Sequence, residues 1–210
     1  MKYKVMIVED QTMPRELFEL RVQSSEHFEV ALSIDNAALT DVYCLRFPVD
    51  LILMDVVTRG GESGLDAAER IKRAFPQIKI IIVTSMPECS YLSRAREIGV
   101  ESFWYKEEQR ESLLDVMERT MAGESVYPDA TPEMQLGLAS SYKFTDRELE
   151  VLREMTGGDT NQEIAERLHM SVATVKTHIL NMLEKTGFRN RTELAVRARD
   201  SGLVILNRKI

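Results

Sequence analysis

Apolar positions in the first half of the chain follow two alternating rhythms. Short runs rich in β-branched and aromatic residues, Tyr3–Val8, Phe28–Ser33, Leu51–Met54, Ile78–Val83 and Ser102–Tyr105, are separated by stretches with helical spacing. Five strands alternating with helices predict an α/β unit built on an open parallel sheet. Leu51–Met54 and Ile78–Val83 are apolar without alternation, as strands covered on both faces must be. Phe28–Ser33 partly alternates and is expected nearer an edge. The last helix of this part, expected near Glu108 to Met121, puts Leu113, Val116, Met117 and Met121 at helical spacing, and Gly123 stops it.

From Glu124 to Lys143 the pattern breaks into ESVYPDATPEMQLGLASSYK, whose two prolines and small polar residues predict a linker with at most one short helix. Thr145-Asp146-Arg147-Glu148 and Thr160-Asn161-Gln162-Glu163 then read as two capping boxes, each opening a helical apolar stripe. A tight turn near His169 to Ser171 and a further helix from about Val172 to Lys185 complete a helix-turn-helix pattern. At roughly 100° per residue, Val172, Val175, Ile179, Met182 and Leu183 share the core side of that helix. Ala173, Thr174, Lys176, Thr177, Leu180, Asn181 and Glu184 occupy the other. The expected division is a unit over 1–123, a linker over 124–143 and an all-α unit over 144–210.

Composition excludes disorder: 44% of the 210 residues are hydrophobic and 29% charged. No apolar run approaches the ~20 residues of a membrane-spanning helix, and MKYKVMIVED shows no secretory signal, so a cytoplasmic protein is expected. Cys44 and Cys89 match no disulfide or zinc spacing and are expected to be inert core thiols. His178 projects toward the core side of its helix and His27 and His169 have no partner pattern, so all three are expected to be structural. The chain carries 27 basic and 34 acidic residues, a net charge of −7. That balance is uneven, because the part from Lys143 onward carries +2 and the remainder −9. Within the later part, Val172 to Arg191 holds Lys176, Lys185, Arg189 and Arg191 against Glu184 alone. Any surface for a polyanion is therefore expected there.

In an open parallel sheet the functional crevice lies beyond the carboxyl ends of the strands. Here the strand ends supply Glu9 and Asp10, then Asp55, Thr84 and Ser85, and finally Lys106. Three crowded carboxylates repel one another unless a divalent cation holds them ionised, which points to Mg²⁺. Such a hard cation suits a few carboxylates plus phosphate oxygens, while Lys106 and the Thr84 hydroxyl could hold the remaining oxygens of a phosphoryl group. The phosphate loop GxxxxGK[ST] and the dinucleotide fingerprint GxGxxG are both absent. An aspartyl-phosphate hydrolase of the DxDx[TV] type would need Asp two residues after the nucleophile, where this chain has Val57.

Glu9-Asp10, Asp55, Thr84, Phe103 and Lys106 resemble, in order and strand position, the residues of bacterial response-regulator receiver domains, with coverage from about Met1 to Gly123. The resemblance implies a flavodoxin-like (βα)5 doubly wound sheet. It also implies that Asp55 accepts a phosphoryl group from a sensor histidine kinase, and that Glu9, Asp10, Asp55 and the Val57 carbonyl bind Mg²⁺. Thr84 and Lys106 are then the catalytic partners of the acceptor, and Thr84 and Phe103 the conformational switch. Two departures stand out. The loop Val56–Gly64 is one residue longer than usual and lacks its proline, and Glu107 replaces the proline that often follows the lysine, implying a cis bond or a rearranged turn.

The segment from about Phe144 to Val204 resembles the LuxR/NarL-type DNA-binding domain. It shares Thr145-x-Arg147-Glu148, Val151-Leu152, Asn161-x-Glu163-Ile164-Ala165, Thr174-Val175-Lys176-x-His178 and Lys185, and departs at Leu180 and Thr186. DNA contacts are expected from Thr174, Lys176, Thr177, Leu180, Asn181, Lys185, Arg189 and Arg191. Together the two resemblances imply a DNA-binding transcription regulator rather than an enzyme. Its expected partners are a histidine kinase, double-stranded DNA, RNA polymerase and, once phosphorylated, a second copy of itself, with no membrane partner. The competing expectation is a phosphorylation-independent DNA regulator whose first unit serves dimerisation or ligand sensing. An enzyme using Asp55 as a turnover nucleophile comes third.

Overall fold

A computed structural model describes residues 2–88, 90–106 and 111–204. The first part runs β1 (Tyr3–Val8), α1 (Thr12–Gln23), β2 (Phe28–Ile34), a 3₁₀ turn (Ala37–Leu39) into α2 (Thr40–Cys44), β3 (Leu51–Met54), α3 (Gly64–Ala74), β4 (Lys79–Thr84), α4 (Ser90–Ile98), β5 (Ser102–Tyr105) and α5 (Leu113–Met121). The strands lie within one residue of the positions expected from the apolar pattern. All neighbours pair in parallel in the order β2-β1-β3-β4-β5. The winding direction reverses between β1 and β3, which opens the crevice at their carboxyl ends.

Alternation within each strand sends residues to opposite faces. Val5, Ile7, Leu51, Leu53, Ile81 and Val83 form one core with Phe18 and Val22 of α1 and Val116 and Met117 of α5. Met6, Val8, Ile52, Met54, Ile80 and Ile82 are equally buried on the opposite face. Each such aliphatic side chain removed from water contributes about 2 kcal/mol. Glu107, and the start expected for the last helix at Glu108, lie outside the described residues. Cys44 is half-buried rather than a core thiol. Burial, aided by the negative charge of Asp41, pushes its pKa up to about 11, so it stays protonated and unreactive. Cys89 lies outside the described residues.

The free edge of β5 is covered by the chain that follows α5. The Phe103 N–H donates to the Val126 carbonyl at 2.8 Å, the Val126 N–H to Ser102 Oγ at 3.1 Å, and the Tyr127 hydroxyl to the Val100 carbonyl at 2.8 Å. Val126 joins the core, and the Tyr127 ring stands 6.3 Å from that of Phe103. Edge backbone groups that would otherwise template another strand are thus consumed. The chain divides into two compact units between Ala130 and Thr131. The segment 124–143 is consequently shared between them.

The second unit begins with a hairpin of β6 (Gln135–Leu136) and β7 (Ala139–Ser140), followed by a 3₁₀ turn (Ser141–Lys143). Helices α6 (Asp146–Thr156), α7 (Asn161–Arg167), α8 (Val172–Thr186) and α9 (Arg191–Ser201) follow. Both capping boxes close reciprocally, Thr145 with Glu148 and Thr160 with Glu163. The turn between α7 and α8 contains His169 at φ +52°, and Ser171 caps α8. Val151, Leu152, Ile164, Val175, Met182, Leu194 and Ala198 form the interior.

Glu148 does more than cap α6. Its buried carboxylate also meets the Lys185 ammonium at 2.6 and 2.8 Å. Burial acts to raise its pKa, but Lys185 and the Thr145 N–H outweigh that and hold it below the ordinary carboxylate range. A carboxyl lowered on folding contributes its full stability above the unfolded value of about 4.3 and loses it as pH falls through the lower folded value. Glu148→Gln is therefore expected to destabilise the second unit by about 2 kcal/mol at neutral pH. The deficit relative to wild type should shrink below pH ~4, as read by helical circular dichroism during denaturant titrations.

Candidate functional site

The acidic residues expected from the strand ends converge in space. One carboxylate oxygen from each of Glu9, Asp10 and Asp55 lies within 4.8 Å of the others. Glu9 and Asp55 are buried and Asp10 is half-buried. Lys106, one residue past β5, donates to Asp55 Oδ2 at 2.8 Å and to Glu9 Oε2 at 2.5 Å. Its own pKa is raised, because the two carboxylates outweigh the burial that would lower it. Burial is also the largest influence on Asp55, and with the nearby Glu9 charge it pushes the pKa up to about 6 against the pull of Lys106. One ammonium facing three carboxylates leaves excess negative charge among hard oxygen donors, a set that can hold a divalent cation.

Backbone contacts fix this cluster. The Gln11 N–H donates to Glu9 Oε1 at 3.0 Å, and Arg15 reaches the Glu9 carbonyl at 3.3 Å. The Asp55 N–H is held by the Val8 carbonyl at 2.9 Å. Gly64 opens α3 so close to Asp55 that a Cβ there would stand 1.9 Å from the Asp55 carbonyl oxygen. The longer loop after Asp55 closes as a small hairpin, with Val57 bridged to Ser63. Its ladder bond runs from the Gly64 N–H to the Val56 carbonyl at 2.8 Å rather than to that of Val57. Thr58 Oγ1 accepts from the Ala37 N–H, and the Arg59 N–H donates to the Asp35 carbonyl, which pins the hairpin beside β2. At the tip Gly60 adopts φ +88° and a side chain would strike Asn36.

Thr84 is fully buried at the end of β4. Its hydroxyl accepts from the Met86 N–H at 3.1 Å, and its carbonyl accepts from the Lys106 N–H at 2.9 Å. Phe103 is buried with its ring 5.0 Å from Tyr105 and 6.3 Å from Tyr127. Tyr127, within the segment expected to be a linker, in turn lies under the Arg96 guanidinium at 4.7 Å. Only the aromatic character of Tyr127 could have flagged it.

In the second unit, α8 buries Val175, Ile179, Met182 and Thr186 and exposes Ala173, Thr174, Lys176, Thr177, Leu180, Asn181 and Glu184. The structure thus gathers Thr174, Lys176, Thr177, Leu180 and Asn181 on one outward face, and Arg189 is exposed beyond it. The Thr174 hydroxyl is engaged with the Ser171 cap, and that of Thr177 donates to the Ala173 carbonyl at 3.0 Å. Lys185 and Arg191 do not belong to this face. Lys185 spends its ammonium on Glu148 and the Lys143 carbonyl. Arg191 donates to Asn161 Oδ1 at 2.9 Å and to the Asp159 carbonyl at 2.6 Å, bracing the start of α7.

Residues 5–118 match the family model described as the response regulator receiver domain, and residues 142–198 match that of the luxR family of bacterial regulatory proteins. The response regulator protein VraR of Staphylococcus epidermidis is 33% identical over 211 residues, covering 97% of this chain and all of the relative. The chain belongs to the response regulators. It is a two-component regulator with a LuxR-type DNA-binding domain, hence a DNA-binding transcription regulator. Solved structures of RcsB share the fold. One, two RcsB dimers bound to two parallel DNAs, has a TM-score of 0.62 at 18% identity, covering 96% of this chain and 99% of that one. Another, RcsB of Salmonella enterica serovar Typhimurium bound to a promoter with phosphomimetic BeF₃⁻, scores 0.61 at 18% identity over 93% of this chain and 98% of that one. Among the described residues of this response regulator, no helix is long and apolar enough to cross a membrane.

The acidic pocket sets a stability signature. A carboxyl whose pKa is higher folded than unfolded takes up protons on folding, so it adds stability as pH falls from about 6 towards 4 and costs stability above that window. Asp55→Asn is accordingly expected to raise the thermal midpoint of the chelator-treated receiver by several degrees at pH 7.5, with the gain fading at pH 5. Differential scanning of both proteins at the two pH values checks this.

Proposed function

We propose that this response regulator is switched by phosphoryl transfer from a sensor histidine kinase to Asp55. The observation that carries the reading is the buried Asp55 carboxylate held between Lys106 and two further acids at the topological switch point. An Asp55 oxygen attacks the phosphorus of the kinase phosphohistidine, the P–N bond breaks, and an acyl phosphate forms. Lys106, already within hydrogen-bond reach of Asp55, pairs with a phosphoryl oxygen and offsets the added charge. Glu9, Asp10, Asp55 and the backbone carbonyl of Val57 would hold Mg²⁺, and the donor chemistry fits a hard cation. When bound, that ion neutralises charge on the phosphoryl oxygens.

Thr84 and Phe103 form the switch. The Thr84 hydroxyl moves towards the phosphoryl oxygens, and the Phe103 ring repacks in the space this leaves. Because the chain after α5 hydrogen-bonds to Phe103 and sets the Tyr127 ring, tilted, beside it, that repacking is felt by the chain leading to the DNA-binding unit. The lengthened loop leaves the three carboxylates and Lys106 together, which supports this reading over a receiver used only for dimerisation or ligand sensing. Apolar Val57 and Met86 beside the acceptor restrict attacking water, so the phosphoryl group is long-lived.

DNA binding falls to the outward face of α8, with Lys176, Leu180 and Asn181 in the major groove, Thr174 and Thr177 at its border and Arg189 towards the backbone. Two copies joined on adjacent half-sites compensate for weak single-domain binding, in keeping with the dimers on DNA seen for RcsB. RNA polymerase is the partner that promoter-bound dimers would meet.

Incubation with a small phosphodonor should label Asp55 with an acid-stable, base-labile phosphate only when Mg²⁺ is present, and the label should persist for minutes or longer. Asp55→Ala should abolish both the label and any donor-induced dimer seen by sedimentation. A variant that still dimerises on treatment would refute the switch. Lys176→Ala should weaken binding to all duplexes and lower the slope of log affinity against log salt by about 1, measured by fluorescence anisotropy.

A further inference from the structure

Leu180 lies one turn beyond Lys176 and Thr177 on α8, so its side chain continues their face. It is 56% exposed, whereas Ile179 beside it is buried. At about 100° per residue it projects between Lys176 and Thr177 on the outward face. Along the helix axis it stands about 6 Å past Lys176, four residues at ~1.5 Å each, so it addresses a different base pair. The nearby Thr177 hydroxyl is tied to the Ala173 carbonyl, so Leu180 is the large apolar side chain on a face that also carries Lys176, Asn181 and Glu184.

A leucine side chain has neither donor nor acceptor and cannot read a base by hydrogen bonding. Major-groove edges offer one apolar group, the 5-methyl of thymine. Pressing an isobutyl group onto the N7, O6 or N4 atoms of a G·C pair would strip them of water and return no hydrogen bond. We infer that Leu180 is a specificity-determining residue that selects thymine, through its 5-methyl group, at the operator base pair facing the middle of α8. This rests on the DNA-binding reading above.

The test uses the full chain with acetyl phosphate and Mg²⁺. An operator is selected from random duplexes, and each of its thymines is then replaced in turn by deoxyuridine, which lacks only the methyl group. One thymine per half-site is expected to respond, with uridine weakening binding about fourfold, the worth of one buried methyl group. Leu180→Ala should erase the thymine–uridine difference at that position while leaving the salt dependence unchanged. Leu180→Lys should move the preference there to guanine. If no thymine responds, or Leu180→Ala still distinguishes the two bases, the inference is overturned while DNA binding stands. A selection that enriches no sequence would remove the DNA-binding reading and this inference together.

Discussion

Three carboxylates share one buried end of the sheet, and the Lys106 ammonium is the only cation that reaches two of them among the described contacts. The rest of the receiver is arranged to make that possible. Burial of Asp55 raises the cost of its charge, Glu9 adds to it, and Lys106 relieves part of it, so the pocket is left deficient in positive charge. A protein does not keep such a deficit for stability, since an apolar replacement would pack as well at lower cost. The deficit leaves a set of hard oxygen donors suited to a divalent cation, as the proposed phosphoryl transfer to Asp55 requires.

Topology delivers these groups. Glu9 and Asp55 follow β1 and β3, the two strands between which the winding reverses, and Lys106 follows β5 at the sheet edge. Gly64 lets the start of α3 approach the Asp55 backbone, and the pinned hairpin between them closes through the Val57–Ser63 bridge. At the β5 edge, the bond to Val126 and the tilted contact of the Tyr127 and Phe103 rings tie the exit of the receiver to the strand that precedes Lys106.

The DNA-binding unit divides its basic residues by a similar logic. Acidic residues crowd α6 and α7, and two of the cations expected at DNA are recruited inward to satisfy that region, Lys185 by Glu148 and Arg191 by the carbonyl of Asp159 and the side chain of Asn161. Lys176 remains outward, on a helix face whose other side chains are small, neutral or apolar except for Glu184. Electrostatic attraction is therefore modest for a single copy, consistent with a chain of net charge −7.

Five strands, the capping boxes of α6 and α7 and the two faces of α8 were legible in the linear pattern, because each depends on local periodicity of side-chain direction. The acidic set was legible because strand ends of a parallel sheet meet at one edge whatever the loops between them. The sequence could not reveal that Glu148 pairs with Lys185, that Arg191 reaches the start of α7, or that Val126 and Tyr127 close the β5 edge. These contacts join residues far apart in the chain, and their partners are chosen by packing rather than by spacing. Periodicity determined which side each residue faces, whereas only the tertiary structure decided what it meets there.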